Sequence, residues 1–439
     1  MNNRRLLTGL LGACLSGSVL CGHAAESRVY TLDEIFETAE TSSVQLRPTR
    51  SAEEAAERQL ESARTARLPE ITASLSVGYN GDGFTTKRNF SDYQKAPIPH
   101  LDNRVAVGIS QPVYTGGAIT GAIELAGERS TAERYATELA RDNIRLQLTG
   151  FYLDLYRTAN LRKVVEQNIA QAQKVLGDME ARYERGMALR NDITRYELLI
   201  ATLQLQLTKL DNTLDILNHN LVETAGLPTG TRVIPDSTLL DRALPSSTEA
   251  DWQSEATGHS PVLRLSDSEV TMSRTQEKLT RSELLPKVGV QAGWEFGGPI
   301  LTEVPPINRN LSYWFVGVGV SYNLSSLYKT NRKLNADRAR TYNAVDRLEA
   351  SRQDVSLRVR SEYIRYREAH QELETNRKAV ELAEINYNTV TTRYEEGMAL
   401  ITDQLDAANQ KLLSEQELVN SRINIIYQYY KLLFISGKI

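Results

Sequence analysis

The chain has 439 residues, with 51 Lys and Arg against 55 Asp and Glu, a formal charge of -4, and 41% hydrophobic residues. So small an acidic excess argues against a nucleic-acid binder, which would carry a basic surplus. Two cysteines, Cys14 and Cys21, sit near the start and leave the rest of the sequence without a thiol or a disulfide.

Arg4 and Arg5 precede an apolar run from Leu6 to Leu20, and Gly22-His-Ala24 offers small residues for cleavage. This predicts a secretory signal peptide over 1–24, with Leu11-Gly-Ala-Cys14 as an alternative lipidation site. No other run approaches the ~18 apolar residues of a membrane-spanning helix, so a membrane crossing has to be a barrel.

The next unit, 25–226, is expected to hold a helix, two strands and a helical hairpin. Ile71, Ala73, Leu75, Val77 and Tyr79 alternate with Thr72, Ser74, Ser76, Gly78 and Asn80, and Val105, Val107 and Ile109 repeat the period. A period of two with one apolar side marks a barrel strand greasy outside and polar within. The stretch from Gly81 to Asn103 reads as a long polar loop. From about Ile119 to Arg185 the residues favour helix, with narrow apolar seams such as Leu146, Leu148, Phe151, Leu153 and Leu155. About 65 helical residues span roughly 100 Å, too long for one globular core, so coiled-coil packing is expected. Gly186 supplies a left-handed C-terminal cap, and Asn191-Asp192 starts a returning helix to about Thr224.

Residues 227–257, with Pro228, Pro235, Pro245 and several Ser and Thr, read as an irregular connector packed outside the helices. The unit 258–439 then repeats the first. Val288, Val290, Ala292, Trp294 and Phe296 share one strand face, and Trp314, Val316, Val318, Val320 and Tyr322 share another. Trp294 and Trp314 are placed as an aromatic girdle. A second long helix stops at Gly397, and Thr402-Asp403 opens a return to about Phe434. All 13 prolines lie at or before Pro112 or between Pro228 and Pro306, so both hairpins are free of helix breakers.

Duplication is explicit. Arg182-Tyr-Glu-Arg-Gly-Met-Ala-Leu189 returns as Arg393-Tyr-Glu-Glu-Gly-Met-Ala-Leu400, and Val105-Ala-Val-Gly-Ile-Ser110 returns at the same spacing as Val316-Gly-Val-Gly-Val-Ser321. The period is far longer than that of a solenoid, so two domain-sized halves are related by pseudo-symmetry. Met187 and Met398, apolar at exposed bends, mark the tips Gly186-Met187-Ala188 and Gly397-Met398-Ala399 as docking surfaces. Four strands are too few for a membrane barrel, which needs ~8 or more, so several chains have to share one. His100, His219, His259 and His370 show no metal-ligand spacing, and no phosphate loop or nucleophile elbow is present. Neither a cofactor nor an enzymatic activity is expected.

The order of signal peptide, strand pair, long helix, glycine-capped tip and returning helix, given twice, resembles the TolC family of bacterial outer-membrane efflux and secretion channels. Ser110-Gln-Pro-Val-Tyr-Thr-Gly-Gly117 is similar to the family's strand-to-helix junction, and Arg393 to Ala407 to its second tip. The resemblance implies a mainly α fold with a β-barrel part: a homotrimer with a twelve-stranded outer-membrane barrel and a periplasmic helical tunnel, 227–257 being equatorial. It implies a pore constriction at Asp403 and Asp406, and a gate latch between Tyr394 and Asp192. Ala399 departs from the family, where an arginine stands, so the latch is expected to be weaker or to use Arg190. The expected role is a passive exit duct for small molecules in a tripartite pump. Its partners would be a periplasmic adaptor, an inner-membrane RND or ABC-type pump and outer-membrane lipid, with no nucleic acid. Type I protein secretion and a poreless periplasmic coiled-coil protein are the alternatives.

Overall fold

The computed structural model describes residues 27–236, 238–239, 244–245, 247–303 and 306–439. The expected signal peptide, Cys14 and Cys21 lie outside the described residues.

The first half runs β1 (Ser27–Tyr30), α1 (Leu32–Ser42), a short 3-10 turn, α2 (Arg47–Thr65), β2 (Glu70–Tyr79), β3 (Gly83–Thr85), β4 (Gln94–Ala96), β5 (Leu101–Tyr114), α3 (Ala118–Glu184) and α4 (Arg190–Ala225). The second half is β6 (Arg232–Pro235), α5 (Glu249–His259), α6 (Pro261–Ser282), β7 (Lys287–Gly298), β8 (Leu311–Ser321), α7 (Ser326–Glu395) and α8 (Ile401–Ile435). The long helices α3 and α7 have 67 and 70 residues; α3 lies within a residue of the expected Ile119 to Arg185, and α7 ends just before the expected stop at Gly397.

Two segments expected to be irregular carry structure. Residues 227–257 contain β6, which pairs in parallel with β1, and most of α5. The polar loop 81–103 holds the small β3–β4 hairpin and the first residues of β5. In both cases the pairing is only three or four residues long, too short to leave a hydrophobic period.

The duplication reaches further than the motifs. Helix α1 opens on a capping box in which Thr31 N–H donates to Glu34 Oε2 at 2.9 Å and Glu34 N–H donates back to Thr31 Oγ1 at 3.2 Å. Helix α5 opens in the same way on Thr248 and Asp251. Each small helix then receives the end of a returning helix. Gly226 caps α4 at φ 72°, where a Cβ would stand 2.6 Å from Ser42 O, and Gly437 caps α8 against His259 O. Only glycine combines the left-handed φ with so close an approach.

The four long strands form one antiparallel sheet in the order β2-β5-β7-β8, rather than two separate hairpins. Register carries the apolar period across every pair: Leu75 faces Val105, Val107 faces Trp294, Ala292 faces Val316, and Val290 faces Val318. One sheet face is therefore apolar and the other carries Ser, Thr, Gly and charges. The register shifts between Pro112 and Tyr114, where β5 leaves the sheet for α3.

Below the sheet α3 packs on α2 and α6, and α6 on α7; farther along, α3 packs on α4 and α8, and α8 on α7. The flanks of the chain are thus α2 with α4 on one side and α7 on the other. The principal core lies around the small helices, where Ile35, Leu148, Tyr152, Leu221 and Ala225 are buried together. There Tyr152 Oη donates to Tyr30 O at 2.8 Å and accepts Asp236 N–H at 2.7 Å, fixing β1 and the connector to α3. Burial pushes the Tyr152 phenol up to about 12.

Candidate duct: the helical tips and the two-faced sheet

Both hairpins turn by the same device. Gly186 at φ 71° donates its N–H to Tyr183 O, and Met187 N–H reaches Arg182 O at 2.9 Å. Gly397 at φ 74° and Met398 repeat these bonds to Tyr394 O and Arg393 O. This Schellman geometry satisfies the last carbonyls of each long helix. It leaves Met187 and Met398 64% and 62% exposed, with Leu189 and Leu400 beside them. Ala188 and Ala399 are half-buried between them.

The returning helices start at Arg190 and Ile401, two residues and one before the expected Asp192 and Thr402, with Leu189 and Leu400 as their N-caps. A leucine side chain accepts nothing, so the caps rest on the acids: Leu189 N–H donates to Asp192 Oδ2 at 3.3 Å and Leu400 N–H to Asp403 Oδ2 at 3.1 Å. Each carboxylate also meets the positive end of its helix. Asp403 and Asp406 lie on the exposed side of α8, while Ile401, Gln404 and Ala407 form its buried side.

Tyr394 packs half-buried against Met179, Ile193, Tyr196 and Ile401, at the junction of the two hairpins. Burial raises its phenol above the ordinary value; the Asp192 charge adds to this, and Arg182 opposes it. Asp192 and Tyr394 are thus electrostatic neighbours, while the Asp192 hydrogen bond shown is that from Leu189. Arg190 pairs with Glu197 at 3.8 Å.

Other hydrogen bonds join the hairpins, unanticipated from the sequence. Arg182 Nη1 donates to Glu395 O at 3.3 Å, Gln171 Nε2 to Tyr387 Oη at 3.2 Å, and Asn168 Nδ2 to Glu415 Oε2 at 3.2 Å. The last two line a cavity of about 170 Å³ between α3, α4, α7 and α8. Their only sequence signal was a polar residue interrupting an apolar seam.

At the other end of the chain the apolar sheet face stays uncovered. Leu75, Trp314, Val316 and Val318 are all exposed, between 66% and 75%. Trp294 and Trp314 are direct cross-strand partners, and Trp294 Nε1 donates to Ser312 Oγ at 3.0 Å. On the opposite face Glu295 accepts Tyr313 Oη at 2.8 Å and pairs with Arg104 at 3.1 Å. Among the described residues, strands β2 and β8 each have one unpaired edge. No helix among the described residues is long and apolar enough to cross a membrane, and no group of His, Cys, Asp and Glu there could hold a metal.

Comparison with known proteins places this architecture. Residues 36–227 and 252–438 match the outer membrane efflux protein family. The outer membrane efflux protein BepC of Brucella suis is 21% identical over 425 residues, 97% of this chain and 88% of BepC. VceC, an outer membrane protein of Vibrio cholerae, superposes with a TM-score of 0.78 at 16% identity, covering 92% of this chain and 96% of VceC. The CmeC outer membrane channel of Campylobacter jejuni gives 0.74 at 13% identity, over 93% and 85%. The fold is that of these outer membrane proteins, and the family match speaks against the alternative of a poreless coiled-coil protein. The chain belongs to the outer membrane efflux protein family: it is an efflux duct of the outer membrane, its long helices reaching into the periplasm.

Proposed function

We propose that three copies of this chain close one twelve-stranded barrel and act as the passive exit duct of a tripartite pump for small molecules. One observation carries the reading: a sheet apolar on a single face, with unpaired edges at β2 and β8, stands in the same chain as two solvent-wetted hairpins. Neither edge is tolerable in lipid unless another chain pairs with it. The helices support the same closure. Leu198, Leu205 and Ile216 are exposed along α4 on one flank, and Leu357, Ile364, Leu382 and Ile385 along α7 on the other. Head-to-tail contact of one flank with the next chain's other flank closes a ring.

In that ring Asp403 and Asp406 form stacked sets of three carboxylates at the narrow end, favouring cations. Tyr394 with Asp192 is the latch at the junction of inner and outer hairpins, assisted by Arg182. The exposed tips Gly186-Met187-Ala188 and Gly397-Met398-Ala399 dock on a periplasmic adaptor, which joins the duct to an inner-membrane pump. The duct performs no chemistry of its own.

The test is biochemical. The purified protein is expected to run as a heat-sensitive trimer on gels and to conduct ions in planar bilayers. A monomer that never enters lipid overturns the reading. Co-purification with an RND-type pump supports small-molecule efflux, whereas a type I secretion ABC transporter assigns the duct to protein export.

A further inference from the structure

The polar sheet face is uneven along its length. Toward the helices it is bare: Gly317 and Gly319 have open space where a Cβ would stand. Toward the loop end it carries bulk and charge. Phe315 lies over Gly293, its cross-strand partner, where a Cβ would meet the ring at 2.7 Å and 2.9 Å. One ring face is thus laid against the backbone, and Phe315 remains 48% exposed. Two residues farther along the same face, Tyr313 donates to Glu295, which also holds Arg104. Glu295 is thus shared between a phenol and a guanidinium, one carboxylate against one cation.

A phenyl ring seated on glycine in a lumen of small polar side chains offers a flat apolar surface that water covers poorly. Its exposed π-face attracts cations as well as planar rings. The same electron-rich ring face disfavours anions.

We propose that Phe315, with Tyr313 and Glu295 beside it, is a binding station inside the duct for planar aromatic cations. The inference rests on the trimeric-barrel reading, which turns this face toward the lumen. Three such stations would ring the barrel near its outer mouth.

Ethidium added on the loop side of single channels in planar bilayers is expected to produce resolvable blocks. Phe315→Ala should shorten them about 2- to 10-fold, the range of a lost ring-on-ring contact, and Phe315→Trp should retain them. Phe315→Leu, which keeps an apolar side chain on Gly293, should behave like the alanine variant. Block by tetrapropylammonium, a cation without a ring, should not change in any of them, and pyrenesulfonate should block more weakly than ethidium. Equal ethidium dwell times in wild type and both truncated variants, or equal block by pyrenesulfonate, would overturn the station. Absence of any conductance in the wild type would instead fault the barrel reading beneath it.

Discussion

The Arg182 guanidinium at the end of α3 donates to the backbone carbonyl of Glu395 at the end of α7, so one side chain ties the two hairpin tips together at 3.3 Å. The bond is exposed and joins the tips, so a motion that parts them has to break it. A charged donor to a carbonyl contributes on the order of 1 kcal/mol. Arg182→Ala is accordingly expected to raise the fraction of time spent in high-conductance states about fivefold in planar bilayers. An unaltered gating record would remove Arg182 from the closed state.

Asp403 and Asp406 separate into two roles. Asp403 caps α8 through the Leu400 N–H, whereas Asp406 makes no such bond and stands one turn along the same exposed side. Loss of the cap costs about 1 kcal/mol. Asp403→Ala should therefore lower the melting temperature as well as block by multivalent cations, while Asp406→Ala should lower block alone. Cation block that survives in the double variant argues against a carboxylate ring at the constriction.

Gly397 has free space around its Cα, so its requirement is conformational and not steric. At φ 74°, Gly397→Ala should cost about 1 kcal/mol through left-handed strain, and export should persist. A bulky charged residue at the exposed Met398 should leave trimers intact and abolish export. Export at the normal rate in Met398→Glu would take the docking role away from this tip.

Asp142, buried in α3 and 3% exposed, has its carboxyl pushed up to about 6 by burial, against the pull of Arg141 and Arg145. Its folded pKa thus exceeds its unfolded value, so the proton is bound more tightly in the native state. Stability falls as pH rises from about 4 to about 6, and the penalty is fully present above that window. Asp142→Asn should raise the melting temperature at pH 7 by the equivalent of about 2–3 kcal/mol, and this advantage should shrink toward pH 4. A gain independent of pH would assign the effect to packing.

The long helices and their tips were legible because proline is absent from them and because glycine followed by Met-Ala-Leu occurs twice. Strand faces were legible because Val, Ile and Trp alternate with Gly and Ser. The caps of α1 and α5 were also written, as Thr31 with Glu34 and Thr248 with Asp251, though 227–257 looked irregular through its prolines. What stayed hidden depends on distant segments meeting: β1 beside β6, β5 beside β7, and Arg182 on a carbonyl that every residue possesses. No periodicity encodes a side chain that bonds to a remote backbone. Asp192 and Asp403 illustrate a milder gap, since an acid near a helix start fits a cap and a pore equally well until the N–H it meets is seen.

The free amides along β2 and β8 tie perforation to stoichiometry. In the proposed trimer a solitary polypeptide would hold only a third of the wall, and its margins would exclude it from hydrocarbon. Leakiness in the envelope is therefore expected to scale steeply with expression level, because holes can arise only through encounters of copies, while stray single chains remain harmless.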